Sequence, residues 1–140
     1  MAKFITRKLE LSPTFREIDM MGVLHNCVYF EWFERGRLQI MNDAIQFAEI
    51  QNLGIAIPVL ENSCTYEDPV RYGDKLLLIT RHKVCEEYTG KLEFTHELLN
   101  INTRRSHAFG KCVCGLMDMR TFKLVRHPGI EIWERYKKIT

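Results

Sequence analysis

The chain has 140 residues, 46% hydrophobic and 27% charged, with 20 basic against 18 acidic side chains and a formal charge of +2. That is an ordinary globular composition; the near-balance of charge supplies no broad positive field of the kind that holds nucleic acid, and no apolar run approaches the ~20 residues of a membrane span. The five cysteines lack any C-x-x-C spacing and the first residues, MAKFITRKLE, show no apolar leader, so we expect free thiols, a cytoplasmic setting and one domain over 1–140.

Residues 3–15, KFITRKLELSPTF, read as a strand interrupted near Ser12-Pro13, followed by a loop that carries Asp19. From about Asn26 the period changes: Tyr29, Trp32, Phe33, Ile40, Met41 and Ala44 recur at three- and four-residue steps. Phe30, Leu38 and Ile45 widen the apolar surface, so the helix is expected to be wrapped by other structure. Asn26 is a candidate N-cap and Gly54 a candidate stop. Beyond it the chain reads as β. One strand is expected over 56–67, another over 75–85, and a cleanly alternating one at KLEFTHEL, with Leu92, Phe94, His96 and Leu98 on one face. NINTRRS is a polar hairpin loop, and 107–119 a further strand whose small residues Ala108, Gly110, Cys112 and Cys114 share a face. HPGIEIWERYKK is a candidate closing helix. The sum is an α+β fold: an antiparallel sheet of about five strands curled round one long central helix. Its exposed edges are ones a second copy of the chain could cover.

Three blocks carry a resemblance. Asp19, Gly22, Val23 and Tyr29, followed by Phe33, Glu34, Arg35 and Arg37, meet the pattern D-x-x-G-V-x-x-x-x-x-Y then F-E-R-x-R. Tyr66, Pro69, Asp74 and Leu76 meet Y-x-x-P-x-x-x-x-D-x-L, and GKCVCGLMDMRTFKLVRHP follows with Gly110 and Pro128. In this order the chain resembles the hotdog-fold acyl-CoA thioesterases of the 4-hydroxybenzoyl-CoA thioesterase type, including their Tol-Pal-associated branch. The family often carries Tyr-His where His25 and Asn26 stand, and an asparagine where Val28 stands. The resemblance implies an acyl-CoA substrate and assembly as a dimer or a dimer of dimers (a homotetramer); we expect no cofactor and no metal.

Thioester hydrolysis needs an attacking oxygen and a donor for the developing oxyanion. An ordinary aspartate, with a pKa of about 3.9, is ionised at neutral pH. Asp19 can therefore attack the carbonyl and form an anhydride, or orient and deprotonate a water. The opening N–H groups of a helix lack internal acceptors and sit at its positive end. The resemblance assigns the Asn26 N–H to the thioester oxygen. Gly22 permits a tight turn beside the acyl group, and Met20, Met21, Val23 and His25 are the candidate substrate contacts, with Arg126 the candidate for a coenzyme A phosphate.

Other residues compete. Glu31 and Glu34 lie on the helix where a sister branch keeps its carboxylate, but Glu31 and Arg35 are spaced as an i,i+4 ion pair. His82, His107 and His127 have no metal-ligand spacing, and His96 reads as a hydrogen-bonded core residue. Cys112 and Cys114 read as packing, and Ser12, Ser63 and Ser106 lack the G-x-S-x-G setting of a serine nucleophile. Two alternatives remain at this point: a 3-hydroxyacyl-CoA dehydratase, and a module that binds acyl-CoA or acyl-carrier protein without catalysis.

Overall fold

The computed structural model describes residues 2–125 and 129–140. Strand β1 (Lys3–Leu11) ends at Ser12-Pro13 and gives way to a 3-10 turn at Phe15–Glu17. Then come α1 (Asn26–Ala44), α2 (Phe47–Asn52), β2 (Ile55–Ala56), β3 (Val59–Tyr66), β4 (Leu76–Val84), β5 (Leu92–Asn100), β6 (Ser106–Cys114), β7 (Met117–Asp118), β8 (Lys123–Leu124) and α3 (Gly129–Lys138). The expected five-stranded antiparallel sheet is present, in the order β1-β4-β5-β6-β3. A small second sheet, β2-β7-β8, was not legible in the sequence.

The alternation in β5 is as expected: Leu92, Phe94, His96, Leu98 and Asn100 are buried and the residues between them half-buried. Helix α1 crosses that inner face. Its buried side, Val28, Tyr29, Trp32, Phe33, Gly36, Arg37, Ile40, Met41 and Ala44, is a stripe of adjacent pairs four residues apart. Two residues without side chains let the helix sit close. A Cβ on Gly36 would overlap the Thr80 hydroxyl, and one on Gly110 would overlap the Phe33 ring. Phe33 stacks on His96, with ring centroids 4.6 Å apart and planes 6° from parallel. His96 Nδ1 in turn meets Thr80 Oγ1 at 2.9 Å. Burial holds His96 down at about 3, with Arg37 adding to the effect, so it is a neutral core residue at physiological pH.

Four expectations need correction. The helical region is not continuous to residue 52: Ile45 takes an extended backbone (φ −153°, ψ 132°), which drops its side chain into the apolar cluster of Ile40, Ile50 and Ile55. The covered surface of helix α1 is narrower than expected, since Leu38 is 40% exposed on the same open side as the polar residues Glu31, Glu34 and Arg35. Among the described residues the ion pair within that stretch joins Glu34 Oε2 to Arg37 Nη2 at 3.9 Å, not Glu31 to Arg35. The expected strands over 56–67 and 107–119 are each cut in two. Pro58 lies between β2 and β3 and its carbonyl accepts the Gly115 N–H at 3.0 Å, where β6 also ends. The chain is closely packed at this point: a Cβ on Gly115 would press on Leu124 and Leu60.

One connection positions the site. Strand β3 does not pair with the β4 that follows it; it lies at the far edge, beside β6. Residues 67–75 must therefore pass across the sheet's end, a span of about three strand spacings or ~14 Å. On the way they run beneath the start of α1, where the Val70 carbonyl accepts the Leu24 N–H at 2.8 Å.

Candidate active site

Asp19 opens a tight turn whose chemistry is local. Its N–H donates to the Val23 carbonyl at 2.8 Å, and the Gly22 N–H returns to the Asp19 carbonyl at 3.0 Å. Gly22 has φ +78°, a conformation that L side chains resist. The Asp19 side chain holds the turn from within: Oδ1 accepts the Met21 N–H at 2.8 Å and the Val23 N–H at 3.3 Å, the usual Asp pattern of bonding backbone two residues on. Among the described residues Oδ2 has no hydrogen-bond partner. The carboxylate is half-buried, with one oxygen committed to structure and one free.

The helix start lies directly downstream. Contrary to expectation, the N-cap is His25 and Asn26 is the first helical residue; the His25 side chain makes no capping bond. The His25 N–H is instead tied to the Glu17 carbonyl at 2.9 Å, and Val28 N–H returns to the His25 carbonyl at 3.0 Å. That leaves the Asn26 and Cys27 N–H groups without an acceptor among the described residues, at the positive end of a 19-residue helix.

A cleft of about 540 Å³ joins these parts. From the turn and helix it takes Asp19, Met21, Val23, Leu24, His25, Asn26 and Tyr29; from the end of β3, Tyr66; and from the crossing segment, Glu67, Asp68 and Pro69. Tyr29 and Tyr66 meet edge to face with centroids 4.9 Å apart. Burial raises the Tyr29 phenol to about 12, so it stays neutral. His107, buried in β6, braces the far wall: its carbonyl accepts the Glu67 and Asp68 N–H groups at 2.9 and 3.2 Å, and its Nδ1 meets the Asp68 carbonyl at 2.9 Å.

Of the residues singled out from sequence, Asp19, Met21, Val23, His25 and Asn26 line this cleft. Met20 is fully exposed at the turn tip, and neither it nor Gly22 belongs to the lining. Arg126, like His127 and Pro128, lies outside the described residues. The rivals Glu31 and Glu34 are exposed on α1, away from the cleft. Glu67 and Asp68 were missed as cleft residues. Their only signal was membership of the YEDPVRYGDKL block, which says nothing of where the segment runs.

A family model described as the thioesterase-like superfamily matches residues 13–131. Over 84 residues, 59% of each chain, the protein is 27% identical to YneP of Bacillus subtilis, whose name gives it provisionally as an acyl-CoA thioesterase. Over 123 residues, 87% of this chain and 63% of the other, it is 23% identical to the chloroplastic acyl-acyl carrier protein thioesterase ATL3 of Arabidopsis thaliana. The chain thus spans less than two thirds of the length of these two relatives. The fold is similar to that of a DHNA-CoA thioesterase from Staphylococcus aureus, with a TM-score of 0.79, 24% identity, and coverage of 96% of this chain and 90% of that one.

Proposed function

Since the chain belongs to the thioesterase-like superfamily, we propose that it hydrolyses acyl-CoA to the free acid and coenzyme A, with Asp19 and the amides at the start of α1 as its catalytic groups. One observation supports this reading: a carboxylate with one oxygen unpartnered among the described residues, and a helix start whose Asn26 N–H is likewise without an acceptor, border the same cleft. The thioester carbonyl would sit between them. Its oxygen gains charge as the carbon is attacked, and the Asn26 N–H stabilises that charge; one such donor is worth about 3–4 kcal/mol of barrier. Two routes use the same Asp19 oxygen. In one, Oδ2 attacks the carbonyl carbon, the thiolate of coenzyme A leaves, and water opens the resulting anhydride. In the other, Oδ2 takes a proton from a water that attacks directly. Turnover in ¹⁸O-water separates them, since only the anhydride route can leave label in Asp19.

Substrate contacts are assigned to Met21, Val23 and His25 beside the acyl group, with Met20 and Gly22 acting through the turn, and to Arg126 at the phosphates of coenzyme A. A homodimer, or a dimer of such dimers, is supported by the unpaired outer edge of β3, where every residue but Cys64 is exposed. Five free cysteines favour a cytoplasmic setting. The test is a panel of aromatic and aliphatic acyl-CoA esters of several lengths, scored by thiol release. Release that depends on Asp19 is the expected result. A dehydratase would change the acyl group without releasing thiol, and a binding module would do neither.

A further inference from the structure

We infer that Tyr66 is a positioning residue for the oxyanion-binding amides, acting through the peptide that joins Asn26 to Cys27; this rests on the thioesterase reading and adds a residue to it. Tyr66 ends β3, the edge strand, and its hydroxyl donates to the Asn26 carbonyl, 40 positions earlier, at 3.2 Å. That carbonyl and the Cys27 N–H are opposite ends of one planar unit, so a hold on the carbonyl fixes the direction of the N–H.

The hold matters because of where it falls. Inside a helix each peptide is gripped at both ends by i→i−4 bonds. In the opening turn the N–H end is free, and the Cys27 N–H has no acceptor among the described residues. Tyr66 supplies a second anchor at the carbonyl end. A hydrogen bond accepted by that carbonyl also polarises the unit and strengthens its N–H as a donor. Burial pushes the Tyr66 phenol above its ordinary value, with Cys64 adding to the shift, so the hydroxyl keeps the proton it donates. The ring stands edge-on to Tyr29 at 84°, which limits where the hydroxyl can swing. Cys27 itself is outside the cleft lining but directly follows Asn26, which is part of it; with its direction fixed, the Cys27 N–H is assigned as a second oxyanion donor alongside that of Asn26.

Tyr66→Phe keeps the ring and removes the hydroxyl. A bond of this kind predicts kcat about three- to tenfold lower with KM unchanged, and a moved ¹⁵N–¹H resonance for the Cys27 amide. An unmoved Cys27 resonance, or a raised KM with kcat intact, would overturn the inference. Asp19→Asn in the same assay separates two failures. Lost turnover in Asp19→Asn beside full turnover in Tyr66→Phe removes only the role of Tyr66. Full turnover in Asp19→Asn removes the thioesterase site itself.

Discussion

Replacing Asp19 by asparagine and by alanine separates the chemistry of this residue from its structural work. Oδ1 accepts two backbone N–H groups, from Met21 and Val23, while Oδ2 is the free oxygen. Asparagine has the same shape and keeps an acceptor at the Oδ1 position, so the turn should survive and only the proposed nucleophile or base is lost. Alanine loses both. A positioned acid–base group contributes about 10²–10⁴ in rate, or roughly 3–5 kcal/mol of barrier. Both variants should therefore fall at least a hundredfold in kcat. Stability should distinguish them. The bond to Met21 is exposed and that to Val23 part-buried, so their joint loss is worth about 1–2 kcal/mol, or roughly 3–7 °C in Tm for a domain of this size. Asp19→Asn should melt within about 2 °C of the parent. Thiol release from the best acyl-CoA substrate, with thermal melts on the same preparations, makes the measurement. Asparagine retaining more than a tenth of the parent kcat would refute the assignment of Oδ2. Equal melting of the two variants would refute the account of Oδ1.

Three further outcomes follow from particular contacts. Asn26→Ala should lower kcat by less than about tenfold, because the proposed donor is backbone and alanine is favoured inside a helix; a loss as large as that of Asp19→Ala in the thiol assay would move the chemistry to the side chain. Gly110→Ala should destabilise by about 1–3 kcal/mol in denaturant titration, since the added methyl meets the Phe33 ring with the helix behind it. Acid should weaken the fold through His82 and His96, which burial holds at about 4 and about 3. The unfolded chain binds these protons at the ordinary value near 6.5, so the histidines leave stability intact above 6.5 and subtract from it as pH falls toward about 4 for His82 and about 3 for His96. The two together remove about 4 kcal/mol by pH 5. Replacing both by glutamine should flatten that limb of the stability–pH curve.

Much of this protein is written in short stretches of chain. Alternation in β5 needs only the period of two between Leu92 and Asn100. The Asp19 turn needs only an aspartate that bonds backbone two residues on and a glycine that takes φ +78°. Such features rest on bonds and conformations within a few residues, so sequence alone determined them. The break at Ile45 was not legible, because the same apolar side chain suits a helix face as well as the pocket beside Ile50 that it fills. Nor was the cap: Asn26 is a better intrinsic N-cap than His25, yet the tie from His25 N–H to Glu17 decides where the helix begins. The far wall of the cleft was decided by tertiary structure alone. Residues 67–75 read as a short link between neighbouring strands, and only the placement of β3 at the distant edge carries Tyr66, Glu67 and Asp68 past the helix start. Strand order follows from which faces bury together across the whole sheet, a property no local window of residues contains.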